Sequence, residues 1–79
     1  GASGGAASGP TRVLAPMPGK VVRIPVQVGD EVEARQPVIV IEAMKMENAL
    51  AAGRAGTVKE VLVQEGVSVA AGRPLVVVE

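Results

Sequence analysis

The chain has 79 residues, eight basic and eight acidic side chains with no net charge at neutral pH, and no cysteine, histidine or aromatic ring of Phe, Tyr or Trp. This length allows a single domain, and lack of cysteine excludes disulfides and thiolate metal sites. Without His or Cys, and with Ser3, Ser8 and Ser68 as the only serines, the usual nucleophile-and-base pairings cannot be assembled. Balanced charge without a basic run or aromatic platform offers no footing for nucleic acid. Apolar runs such as Val38–Ile41 are far too short to span a bilayer, and the sequence shows no signal-peptide pattern, so no membrane partner is expected. The chain does not begin with Met, which leads us to expect a fragment or a processed form.

Residues 1–10 contain only Gly, Ala, Ser and Pro and read as a flexible linker, leaving residues 11–79 as the domain. Its core must come from Val, Ile, Leu and Ala, a composition that favours strands. From Pro16 onward the chain repeats. Shifted by 37 residues, positions 16–42 match positions 53–79 at 10 of 27 sites without a gap. The matches include Gly19 with Gly56, Gly29 with Gly66 and Pro37 with Pro74. We therefore expect two halves related by a pseudo-twofold axis around one core.

In chain order, Thr11–Ala15 reads as a strand, and Gly19–Ile24 as a longer one whose imperfect alternation predicts a twist or bulge. Val28-Gly29-Asp30 is a turn, followed by a short strand around Val32 and a loop that ends at Pro37. Val38–Ile41 is apolar throughout, as a strand covered on both faces would be. Asn48–Ala52 opens the second half, in which Gly56–Val63, the turn Glu65-Gly66-Val67, Val69 and Leu75–Val78 repeat the series. Eight short strands without a helical period indicate an all-β flattened barrel or sandwich.

Between the halves lies Glu42-Ala43-Met44-Lys45-Met46-Glu47. So short a connection between strands is a tight hairpin with Met44-Lys45 at its centre and both Met44 and Met46 near solvent. Two-residue hairpin turns favour Asn-Gly or Asp-Gly, so a Met-Lys pair breaks turn chemistry at the one place where a single amine is displayed. Surface lysines are common and mostly inert; the apolar residues on either side of this one set it apart.

Ala43-Met44-Lys45-Met46 resembles the attachment motif of the biotinyl domain, the biotin carboxyl carrier module of biotin-dependent carboxylases and decarboxylases. The resemblance continues through Pro16-Met17-Pro18-Gly19, Val28-Gly29-Asp30, Glu47-Asn48 and Gly53–Val58, and covers roughly Val13 to Glu79. It implies two four-stranded antiparallel sheets, with biotin joined through its valerate carboxyl to the Lys45 amine by a biotin protein ligase that uses ATP. The arm would carry CO₂ on a ureido nitrogen between biotin carboxylase and carboxyltransferase sites. Met44 and Met46 would serve ligase recognition or tune transfer, and Gly19, Gly29, Gly56 and Gly66 would be turn glycines.

On this resemblance the chain is a non-catalytic carrier, monomeric as an isolated domain, in the cytoplasm or in the mitochondrial matrix of a eukaryote. Two positions depart from the pattern: Arg35 stands where the second half has Gly72, and Val67 where the first has Asp30. Lack of a protruding thumb insertion points toward carriers of propionyl-CoA, pyruvate, oxaloacetate or related systems. A lipoyl carrier on the same fold is the alternative, although that family places Asp before its lysine and Ala after it. An unmodified barrel like those of membrane-export adaptors is the third reading, and it has no use for an exposed Met-Lys-Met turn.

Overall fold

A computed structural model describes residues 10–79; the expected linker at residues 1–10 therefore lies, apart from Pro10, outside the described residues. Eight strands follow one another: β1 (Thr11–Leu14), β2 (Gly19–Arg23), β3 (Glu31–Val32), β4 (Pro37–Ala43), β5 (Met46–Ala51), β6 (Gly56–Val61), β7 (Ser68–Val69) and β8 (Pro74–Val78). They form two four-stranded antiparallel sheets, ordered β1-β8-β6-β3 and β5-β4-β2-β7. No helix among the described residues is long and apolar enough to cross a membrane.

The internal repeat is the symmetry of the sheets. Moving each strand on by four in sequence converts one sheet order into the other. Each sheet thereby contains two strands from each half. Short strand β3 pairs with β6 of the second half, and β7 pairs with β2 of the first. The turns cross over in the same way. Gly29 N donates to Val58 O at 2.8 Å and Val58 N to Asp30 O at 2.8 Å; Gly66 N donates to Val21 O at 2.7 Å and Val21 N to Val67 O at 2.8 Å. Both turn glycines hold left-handed φ values, 98° and 93°, which side chains with a Cβ avoid.

Both long strands carry the expected irregularity. Register shifts occur between Val21 and Arg23 and between Val58 and Glu60, positions equivalent under the repeat. These bulges twist the strands so that the sheets close over one core. Twelve of its fourteen buried members come in repeat pairs, Val21 and Val58, Val26 and Val63, Val32 and Val69, Val38 and Leu75, Ile39 and Val76, Ile41 and Val78, and Val13 and Ala15 complete it. No polar side chain is buried among the described residues, so dense apolar packing carries the stability. All four residues of Leu75–Val78 are buried, including Val77 on the outer face, which lies in register between Arg12 and Glu60. Long charged side chains cover such a site with their aliphatic stems. Val40, the equivalent of Val77, is only half-buried.

Some boundaries differ from the sequence reading. The second strand ends at Arg23, ahead of Pro25, which has no N–H to offer a ladder. The fifth strand begins at Met46, two residues earlier than expected, because pairing resumes directly after the hairpin turn. Arg35 does not adopt the left-handed φ of 84° found at Gly72, so the loops before β4 and β8 differ in backbone as well as sequence. Asp30 Oδ2 accepts from Gln27 N at 2.9 Å, a bond that Val67 cannot reproduce. The second-half turn instead sends Glu65 across to accept from Ile24 N at 3.1 Å.

Gly19 and Gly56 are not turn residues. Each opens a strand, and the space for a side chain is filled by the neighbouring strand. A Cβ on Gly19 would lie 2.7 Å from Glu42 O, and one on Gly56 2.8 Å from Glu79 O. Such contacts with backbone cannot be relieved by a rotamer change. Gly19→Ala and Gly56→Ala should each destabilise the domain by about 1–3 kcal/mol, measured by urea unfolding, through the same overpacking. A substitution that leaves the midpoint unchanged would show that the strands approach less closely than this.

Candidate functional site

The hairpin between β4 and β5 projects from the junction of the halves. Six residue pairs hold it, from Pro37 opposite Ala51 to Ala43 opposite Met46. Ile39 and Ile41 of β4 are fully buried, so the arm that carries the turn is anchored in the core. Ala43 at its base is buried too, and the space beside Gly19 is what lets β2 come in against it. Asn48 Nδ2 donates to Met46 O at 3.3 Å and ties down the start of the returning strand.

Met44 and Lys45 form the two-residue loop. Their φ values are 54° and 67°, the only positive ones at non-glycine residues among those described. Positive φ at both central positions defines the type I′ turn, whose twist matches that of the flanking strands. The cost of the left-handed region to an L side chain, about 1–2 kcal/mol per residue, is met by the pairing below the turn.

The geometry separates the four motif residues. Ala43 points into the domain, while Met44 is 90% exposed, Met46 66% exposed, and Lys45 stands exposed between them. Neither methionine folds back on the barrel. Of the chain's three lysines, Lys59 pairs with Glu79 at 3.4 Å, and Lys20 lies within a strand opposite Glu42. Lys45 has no hydrogen-bond or ion-pair partner among the described residues and is the one amine held at an apex.

Sequence reasoning missed the electrostatics beneath the tip. Ser68, Lys20, Glu42 and Glu47 sit directly opposite one another across β7, β2, β4 and β5. Glu42 and Glu47 are thus like-charged cross-strand neighbours, an unfavourable pairing, with Lys20 on the other side of Glu42. The equal spacing of these two glutamates about Met44-Lys45 was the available clue. Elsewhere, Glu31, Glu33, Gln36 and Thr57 line a shallow groove beside β3 and β6, and no cluster of metal-ligating side chains exists among the described residues.

A small all-β mount that holds an exposed amine on a strained turn has the form of a carrier domain. The chain belongs to the family described as biotin-requiring enzymes, whose profile matches residues 11–78. It is 46% identical over 72 residues to the biotin carboxyl carrier protein of Streptococcus mutans, covering 91% of this chain and 55% of that protein. It is 52% identical over 64 residues to the human mitochondrial propionyl-CoA carboxylase alpha chain, covering 81% of this chain and 9% of that one. Among solved structures, the urea carboxylase of Kluyveromyces lactis matches with a TM-score of 0.86 and 33% identity, over 91% of this chain and 6% of that chain. The chain thus spans about half of the bacterial carrier protein and less than a tenth of these carboxylases. Biotin, bound covalently, is the cofactor of this domain.

Two substitutions test the physics of the tip. Met44→Gly should stabilise the domain by about 0.5–1 kcal/mol, as relief of left-handed strain exceeds the entropy added to the unfolded chain. Glu47→Gln should add about 0.2–1 kcal/mol at low ionic strength, fading with salt, by removing the like-charge pair. Urea midpoints that fall in the first case, or that show no salt dependence in the second, would contradict these assignments.

Proposed function

We propose that Lys45 Nζ is the point of biotin attachment and that the domain carries activated CO₂ between two catalytic sites it does not itself contain. The observation carrying this reading is the type I′ turn, which spends left-handed strain at two non-glycine residues to hold one unpartnered amine at the apex. Such strain is retained where function requires the geometry. An amine that is exposed and unpaired suits an amide bond to a carboxyl group, and Lys59 and Lys20 do not share its position.

When bound, biotin supplies a ureido nitrogen that takes up and releases CO₂. The chain's own part is placement. The turn keeps Nζ clear of the sheets, and β4 fixes the turn to the core. Met44 and Met46 offer apolar surface on either side, which a biotin protein ligase would use to seat Lys45 against an activated biotin. Acylation converts the side chain from a cation to a neutral amide, leaving Glu42 and Glu47 as the dominant charges at the tip. On this reading the chemistry belongs to partner sites and the domain is a non-catalytic carrier, a role that its likeness to a biotin carboxyl carrier protein supports.

Those partners are a biotin carboxylase and a carboxyltransferase. The family members that resemble this chain support the assignment, since they are carboxylases acting on propionyl-CoA, pyruvate, urea and long-chain acyl-CoA. The isolated domain is monomeric on this reading, with its exposed methionines reserved for transient contacts. It works in the cytoplasm, or in the mitochondrial matrix in a eukaryote, as a chain free of cysteine permits.

Co-expression with a biotin ligase tests the reading by intact mass. The wild type should gain one biotinyl group and Lys45→Arg none, while Lys45→Arg shifts stability by no more than about 0.5 kcal/mol. An unmodified wild type, under conditions that label a control domain, would refute the attachment. A gain matching a lipoyl group would select the lipoyl carrier instead.

A further inference from the structure

The chain contains no Cys, His, Trp or Tyr, so the thioethers of Met17, Met44 and Met46 are its oxidisable side chains. Their placement is uneven. Met44 is 90% exposed and Met46 66%, whereas Met17 is 37% exposed. The two most accessible thioethers therefore flank Lys45 directly. Methionine is ordinarily a gap-filler in cores, and here the core is filled by Val, Ile, Leu and Ala. Oxidation of Met44 or Met46 disturbs no buried packing and falls wholly on the tip.

We propose that Met44 and Met46 form an oxidant-sensitive modification site that sets whether Lys45 can be acylated. In the forward step a methionine sulfur attacks one oxygen of hydrogen peroxide. The O–O bond breaks, an S–O bond forms, the sulfur loses two electrons, and the second oxygen departs as hydroxide that takes the proton from the transferred oxygen to become water. A thiol-dependent sulfoxide reductase reverses the change: two thiols become a disulfide and the sulfoxide oxygen leaves as water. The sulfoxide is a polar group with a strong acceptor oxygen, unlike the thioether it replaces. A ligase surface that dries an apolar Met-Lys-Met tip would have to bury that oxygen without a partner, which is unfavourable. The fold stays intact while the modified tip is rejected. This proposal rests on the ligase reading given above.

The test uses the unmodified full chain, exposed to graded hydrogen peroxide that is then removed with catalase before any ligase is added. Intact mass and peptide mapping should show oxygen on Met44 and Met46 before Met17. The initial rate of ligase-dependent biotinylation should fall about ten-fold or more in the doubly oxidised chain, as expected for burying an unpaired polar group. A methionine sulfoxide reductase should restore it. Acylation of Lys45 by a small N-hydroxysuccinimide ester, which requires no docking, should be unaffected. The Met44→Leu/Met46→Leu variant should keep its labelling rate through peroxide treatment; if that variant is not labelled at all, reductase rescue of the wild type decides. Equal oxidation of Met17, an oxidised chain labelled at the untreated rate, or a loss that the reductase does not reverse would each overturn the proposal. An untreated chain that the ligase fails to label would instead refute the attachment reading itself.

Discussion

The fold depends on backbone hydrogen bonds that each half makes to the other. The turn at Gly29 is bonded to Val58, and the turn at Gly66 to Val21. With β3 and β7 also exchanged, neither half can complete a sheet alone. The repeat is therefore one cooperative unit, and its core side chains pair across the same axis. A domain this small buries only about 60% of its unfolded surface and has no disulfide to help, so mutual dependence of this kind matters. It also leaves a single direct connection between the halves, the β4–β5 hairpin.

Two requirements meet at that hairpin. It must be tight, because it joins adjacent strands, and it must present a particular side chain. Gly or Asn in the turn would satisfy the first at lower strain. Met44 and Lys45 satisfy the second, and six residue pairs below them hold the backbone in place. The result is a rigid base and an exposed end. An attached group would owe its mobility to the lysine side chain and its own bonds, with the position of Lys45 Cα fixed by the sheet.

Much of this was legible in the sequence because the symmetry is written in residue identities. The shift of 37 aligned Gly with Gly and Pro with Pro, and those positions proved to be equivalent in the fold, as turns at Gly29 and Gly66 and as strand starts at Gly19 and Gly56 and at Pro37 and Pro74. Imperfect alternation in the two long strands announced a twist or bulge in each, but not its place at Val21–Arg23 and Val58–Glu60. The hairpin was legible from its shortness, and Lys45 from its apolar company. Strand exchange was not, since a repeat says that two halves are alike and does not say which strands they share. The roles of Gly19 and Gly56 were also hidden: a glycine needed for a close approach looks the same in a sequence as one needed for a turn. The crossing of Glu65 to accept from Ile24 N has no counterpart in the first half, and no pattern along one chain announces a partner 41 residues away.

The counterpart of the hairpin under the pseudo-twofold axis is the pair of points where the chain enters and leaves. Thr11 lies opposite Val78 on neighbouring antiparallel strands, so the first and last strands meet side by side in the sheet that does not carry the hairpin. Tension applied between Thr11 and Val78 would therefore load the β1–β8 ladder from its end, separating its rungs in succession as a zipper parts, while the β4–β5 ladder lies in the other sheet.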